Sequence, residues 1–352
     1  VSGRVHPATA ALGALPYAVM ALVILVDLTA GPAAGFLPLI SLGPAFAGLT
    51  GSWRRTALIG VLSFVLCLVL GMYDGLFTGQ RGHTALLSVA GVTVAGVVAA
   101  VMRRRREAEL ANVRSIAEVA QRVLLRPVPR VAGRLSVAVS YTSAVAEARI
   151  GGDLYEVVAS PYGVRALIGD VQGKGLEAVE TAAVVVGAFR EAAYDEPDLT
   201  AVGTRLERAL ERDLPDEKFV TAVLAEAGAG PTITLLNYGH PAPLVARPDG
   251  AVAYLTPPRR ALPLGLTAHG EDGPEPYDVG FAPGDQVLFY TDGVTEARNG
   301  DGQFYPLDER AGLLKEPDPQ AAVDAIRADL VEHTGGPLHD DAAMLLIRYR
   351  TA

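Results

Sequence analysis

Five aspartates in the last two thirds of this 352-residue chain stand where carboxylates could act together. Asp153 (I-G-G-D-L-Y-E), Asp170 (L-I-G-D-V), Asp292 (Y-T-D-G) and the adjacent Asp340 and Asp341 (H-D-D-A-A) each border an apolar run, beside glycine or a second acid. Residues 153–171 read as a hairpin with its turn near 160–163, which sets Asp153 opposite Asp170. Facing carboxylates ~5 Å apart repel, so the pattern predicts a cation between them. A slip of one residue in register would undo the argument. Taken singly, each of the two acids is better read as an ordinary turn or strand-end residue. Taken with Asp292, Asp340 and Asp341, they suggest a carboxylate cluster. Oxygen-only ligands select hard divalent cations such as Mg²⁺ or Mn²⁺. Two such ions ~4 Å apart can activate a bridging water and steady in-line attack on phosphorus.

Other hydrolytic chemistries find little support. There is no G-x-S-x-G elbow and no H-E-x-x-H, the six histidines are scattered, and G-K-G at 173–175 lacks P-loop spacing. The single cysteine, Cys67, lies in an apolar run, so there is no disulfide framework and no zinc knuckle. His240, between Gly239 and Pro241, is read as holding a turn, and Thr221 as a strand residue with a locally bonded hydroxyl. Residues 131–352 hold 34 acidic against 18 basic residues, a balance that argues against nucleic acid as a partner.

The elements that must position these acids are short β-rich runs from residue 135 onward: L-S-V-A-V-S-Y, D-L-Y-E-V-V-A-S, V-R-A-L-I-G-D-V, F-V-T-A-V-L-A-E-A, T-I-T-L-L-N-Y, Q-V-L-F-Y-T-D and A-A-M-L-L-I-R-Y. Helical patterns fall at 176–194, 199–213 and 319–332. Together they predict an α+β domain with antiparallel sheets covered by helices. Residues 1–102 differ sharply, with only four arginines and two aspartates. Apolar stretches at 10–30, 35–50, 56–77 and 84–102 predict about four membrane spans, the second short and interrupted by Pro38 and Pro44. Arg4, Arg54, Arg55 and the run Arg103–Arg106 place the following domain in the cytoplasm. Asp27 and Asp74 are expected near the outer ends of their stretches, where water reaches them. Residues 103–130 read as a helical linker with an apolar seam at Leu110, Val113, Ala117, Ala120 and Leu124. The seam is either a homodimer contact or a face packed on the next domain.

The runs I-G-G-D-L-Y-E-V, L-I-G-D-V-Q-G-K-G-L-E-A, F-V-T-A-V-L-A-E, N-Y-G-H-P-A-P-L-V, Q-V-L-F-Y-T-D-G-V-T-E-A-R-N and H-D-D-A-A-M-L-L-I, in this order, resemble the SpoIIE/RsbU branch of the metal-dependent (PPM, type 2C-like) protein phosphatases. The resemblance covers about residues 120–350 and nothing of the apolar part. It implies an α/β/β/α sandwich of two antiparallel sheets flanked by helices, here preceded by an all-α transmembrane bundle. It implies two Mn²⁺ or Mg²⁺ ions and phosphoserine or phosphothreonine substrates, often STAS-domain anti-anti-sigma proteins. By motif, Asp153, Asp170, the Val171 carbonyl, Asp292 and Asp340 carry over as metal ligands, with Asp170 bridging both ions. Asp341 matches a neighbouring supporting position. Glu156 stands where the family has a second aspartate, and Lys174 where it often has histidine. Lys174 is either a phosphate contact or a solvated surface lysine.

The expected organisation is therefore a membrane region (1–102), a linker (103–130) and a phosphatase domain (131–352) facing the cytoplasm of a multi-pass membrane protein. The alternative function is a membrane receptor or scaffold whose phosphatase-like domain binds a partner without turnover.

Overall fold

The computed structural model describes residues 7–30, 36–142, 151–213, 218–266, 273–338 and 340–351. Of residues 7–12, 30, 113–115, 117, 118, 122 and 213 it describes the backbone alone. The chain divides into two compact units, Val1–Asn112 and Val113–Ala352.

The first unit is helical. Helix α1 is Pro7–Ala30, a 3₁₀ turn Leu37–Ser41 leads into α2 (Leu42–Thr50), α3 is Trp53–Tyr73, and α4 begins at Gln80 and runs to Leu124. Among the described residues two segments can cross a membrane by length and composition, Trp53–Tyr73 and Gln80–Asn112, while the apolar helices Gly13–Thr29 and Leu37–Thr50 are shorter. Gly48 meets the backbone of Gly96, where a Cβ would lie 2.9 Å from the Gly96 Cα, so α2 and α4 touch through small residues. Arg103 donates to the carbonyls of Gly48 (2.9 Å) and Gly51 (2.6 Å) at the end of α2, where a cation meets the negative end of a helix. Asp27, expected where water reaches it, is instead buried at 4% exposure. Val23, one turn earlier on the same face, packs with Cys67 and Val89 and carries Asp27 inward.

The second unit is a four-layer sandwich. One sheet holds β1 (Val131–Ala132), β2 (Leu135–Thr142), β7 (Leu244–Ala246), β8 (Val252–Tyr254), β10 (Gln286–Tyr290) and β11 (Ala342–Tyr349). Its order is β1-β2-β11-β10-β7-β8. The other holds β3 (Asp153–Ser160), β4 (Gly163–Val171), β5 (Val220–Ala227), β6 (Thr232–Tyr238) and β9 (Tyr277–Gly280), in the order β3-β4-β5-β6-β9. Every strand pairing is antiparallel. Helices α5 (Leu176–Asp195) and α6 (Leu199–Asp213) cover the second sheet, and α8 (Pro319–Thr334) covers the first. A single turn, α7 (Asp292–Thr295), follows β10.

Period-two alternation builds the layers. On β11, Ala343, Leu345 and Ile347 enter the core between the sheets, while Met344 and Leu346 pack with Val323, Ile326 and Leu330 of α8. The expected α/β/β/α sandwich is present. The short strands β1, β7, β8 and β9 and the turn α7 are additions, too brief to show periodicity in the sequence. Of the linker seam, Ala120 packs against Val179 and Leu124 against the main core, so this part of the helix packs on its own domain. Leu110 is exposed, as are Ile116, Val119 and Val123 at helical spacing. The side chains of Val113 and Ala117 lie outside the described residues.

Candidate metal centre

The β3–β4 hairpin closes through a two-residue turn, with Ser160 paired to Gly163, and its register places Asp153 directly opposite Asp170. Gly163 has φ +139° and its Cβ would run into Ala227 of the neighbouring strand, so the turn tolerates only glycine there. On its other side Asp170 pairs with Thr221 of β5.

The remaining acids arrive from the other sheet. Asp292 opens α7 at the end of β10, and Asp340 and Asp341 immediately precede β11. Thr291 joins the two sheets here. Its hydroxyl donates to Asp153 Oδ2 (2.9 Å) and accepts from the Ala343 amide (3.0 Å), and its own amide donates to the Ala343 carbonyl (3.1 Å). Two glycines make room for Asp341, since a Cβ on Gly151 would overlap its carboxylate and one on Gly293 its carbonyl. The Val171 carbonyl lies against Gly152 in the same way. The G-G-D, T-D-G and D-D motifs thus fit together through glycines that leave space for the neighbouring motif.

Burial and mutual repulsion mark this cluster electrostatically. Asp153 is pushed well above the usual carboxylate range, first by burial and then by the facing Asp170, against the opposing Thr291 hydrogen bond. Asp170 is pushed up to about 7 by burial and by the charges of Asp292, Asp340 and Asp341, while Lys174 opposes the shift. Asp292 is raised by burial, then by Glu296 and Asp340. Lys174 Nζ sits 2.7 Å from Asp340 Oδ1, both side chains partly open to solvent. Among the described residues no three His, Cys, Asp or Glu side chains converge tightly enough to enclose one cation. Asp340 is drawn to Lys174 and Asp153 to Thr291. The donor chemistry still fits a hard divalent cation: oxygen donors only, three of them raised by burial and then by neighbouring charges that such an ion would neutralise.

Glu156 is not brought to this cluster. Three residues along β3, it points to the helical layer, where Arg190 of α5 donates to its carboxylate (2.5 Å). Arg190 also donates to the Leu124 carbonyl at the end of α4 (2.9 Å). Nearby, the Gln121 side chain donates to the Gly151 carbonyl (3.2 Å) and to Tyr141 Oη (2.8 Å). His240 is buried with both ring nitrogens engaged. Nε2 faces the Tyr290 carbonyl (3.0 Å), which can only accept, so Nε2 carries the proton and Nδ1 accepts from Thr221 (3.0 Å). Burial lowers its pKa to about 4. His240 is therefore a neutral brace for its turn, as the sequence suggested. Thr291, Gln121 and Arg190 were not singled out in the sequence. Only Thr291 carried a signal, a polar β-branched residue between an apolar strand and Asp292.

A cavity of about 1080 Å³ opens beside the cluster, lined by Asp170, Asp292 and Glu296 and by Phe219, Tyr254 and Arg260.

Two antiparallel sheets packed face to face between helical layers, with acids gathered where the sheets meet, define a protein phosphatase 2C-like fold. The SiaA PP2C domain of Pseudomonas aeruginosa superposes with TM-score 0.58 at 19% identity, over 69% of this chain and 98% of that one. The PP2C domain with a regulatory fragment of SpoIIE from Bacillus subtilis gives 0.52 at 20%, over 62% and 64%. The chain belongs to the family of Stage II sporulation protein E (SpoIIE), whose model matches residues 160–350. It is also similar to the phosphoserine phosphatase RsbU of Bacillus subtilis, 24% identical over 205 residues. That match spans 57% of this chain and 60% of the length of RsbU.

Proposed function

We propose that this chain is a metal-dependent protein serine/threonine phosphatase, anchored in the cell membrane by its helical first unit. It hydrolyses phosphoserine or phosphothreonine on a cytoplasmic regulatory protein. The observation that carries the reading is the pairing of Asp153 with Asp170 inside a buried group of acids whose pKa values are raised by that burial and then by one another's charge. Asp153, Asp170, Asp292, Asp340 and the Val171 carbonyl would hold two Mn²⁺ or Mg²⁺ ions. Such ions, when bound, neutralise the carboxylates and make a water acidic enough for in-line attack on phosphorus. The chain's own part is to hold Asp153 through Thr291, to seat Asp341 between Gly151 and Gly293, and to release Asp340 from Lys174. The similarity to a phosphoserine phosphatase supports the substrate class. An anti-anti-sigma-like partner with a STAS domain follows from the family resemblance. Exposed Ile116, Val119 and Val123 support a homodimer through the linker helix.

The test is phosphate release from p-nitrophenyl phosphate and from a phosphoserine protein by the full chain in detergent. Activity should require Mn²⁺ or Mg²⁺. Asp170→Asn should lose most of it, on the order of a hundredfold or more, while remaining folded. Full activity in chelator, or in the Asn variant, overturns the two-metal reading. The Lys174–Asp340 ion pair favours one second reading, a scaffold that binds its partner without turnover. That reading predicts partner binding with no phosphate release in any divalent metal.

A further inference from the structure

The cavity beside the aspartates is walled by three carboxylates, Asp170, Asp292 and Glu296, and among its described lining residues Arg260 is the one Lys or Arg. A phosphorylated segment entering it is itself anionic, so beside any metal ions held by the aspartates a cationic side chain on this wall favours its binding. Arg260 is exposed, and among the described residues its guanidinium has no ion-pair or hydrogen-bond partner. Four other arginines of the domain are engaged: Arg165 with Glu226, Arg190 with Glu156, Arg247 with Asp285, and the adjacent Arg259 with Glu275.

The segment that carries Arg260 is held at both ends. At the near end β8 pairs with β7, and the Leu255 amide donates to the Pro243 carbonyl (2.8 Å). At the far end Leu264 and Val220 exchange both backbone hydrogen bonds (2.9 and 3.0 Å), and the Gly265 amide donates to Glu207 (2.8 Å). Between these anchors Pro257, Pro258 and Pro263 restrict the backbone. An arginine on a stiff, doubly anchored segment loses little backbone freedom when it binds. Its planar fork matches the two oxygens of a phosphoryl or carboxylate group. The volume, about 1080 Å³, is at the upper end of the ~300–1,000 Å³ of small-molecule pockets and leaves room for residues flanking a phosphoserine.

We propose that Arg260 is a specificity-determining residue that binds an oxyanion of the phosphoprotein, either the phosphoryl group itself or a carboxylate beside the phosphorylated residue. The inference rests on the phosphatase reading.

Three substrates separate the possibilities: p-nitrophenyl phosphate, a phosphoserine peptide flanked by aspartates, and the same peptide flanked by alanines. With the full chain in detergent and Mn²⁺, Arg260→Ala should raise KM about tenfold, the equivalent of ~1.4 kcal/mol, with kcat changed less than about twofold. Arg260→Lys should recover part of the loss. A rise for all three substrates assigns the phosphoryl group, and a rise for the aspartate-flanked peptide alone assigns the flanking acid. Unchanged KM for all three overturns the proposal while leaving the phosphatase reading intact. If wild type hydrolyses none of them, the phosphatase reading fails, and fluorescence anisotropy of the labelled aspartate-flanked phosphopeptide decides about Arg260. Weaker binding to Arg260→Ala then supports the contact, and equal binding to both proteins overturns it.

Discussion

Burial and the charges of Asp292, Asp340 and Asp341 move Asp170 from 3.8 to about 7, so the metal-free folded chain keeps a proton there that the unfolded chain has already released. The resulting stability is full below about pH 3.8 and is lost as pH rises to about 7. His240 acts in the opposite sense. Burial lowers it from 6.5 to about 4, so its contribution is full above pH 6.5 and is lost as pH falls to about 4. The two effects overlap, and Asp170→Asn removes the first while leaving the second. In chelator, Asp170→Asn should raise Tm over wild type by several degrees at pH 8, and by clearly less at pH 5. Equal gains at both pH values would show that Asp170 titrates normally. Lys174 sets a second expectation. Its ammonium competes for Asp340, and an exposed ion pair of this kind contributes about 0.2–1 kcal/mol. Lys174→Gln should therefore tighten Mn²⁺ binding about 1.4- to fivefold by calorimetry, and weaker binding would mean that the lysine helps to assemble the site.

Among the elements, the β3–β4 hairpin and the end of α4 matter most for the site. The hairpin sets the Asp153–Asp170 pair by local register alone. The end of α4 holds the G-G-D turn from outside, through Gln121 on the Gly151 carbonyl and through Arg190, which bonds both Leu124 and Glu156. A shift of this helix end would reach Asp153 through two residues of backbone, so the expectation is that its hydrogen bonds support the shape of the site. Gln121→Leu removes the hydrogen bond to that turn and the one to Tyr141, each worth about 1 kcal/mol. Mn²⁺ affinity of the full chain should fall about fivefold, with Tm lowered by only a few degrees. Unchanged affinity would show that the turn keeps its shape without the helix.

For the whole molecule, charge and hydropathy divide the chain. Among the described residues two helices are long and apolar enough to cross a membrane, and Arg103–Arg106 follow the apolar part of α4. With that arginine run on the cytoplasmic side, a reporter fused after Val131 should behave as cytosolic, and one inserted at Gly79, between α3 and α4, should react with external reagents. Protection of the Gly79 reporter would refute this orientation.

The sequence by itself determined what depends on neighbours in the chain. Alternating runs and one tight turn specify the hairpin, and with it the facing aspartates, because a two-residue turn fixes every pairing outward from it. The division into an apolar helical unit and an acidic α+β unit was legible for the same reason, since it is written in local composition. The tertiary structure decided what depends on contacts across the fold. Thr291 reaches Asp153 across 138 residues, and Lys174 reaches Asp340 across 166. Glu156 turns to α5 although it sits three residues from Asp153, because successive β3 side chains alternate between the inter-sheet core and the helical layer. Arg260 lines the acid-walled cavity only because its segment is pinned to β5 and β7, which no spacing along the chain reveals.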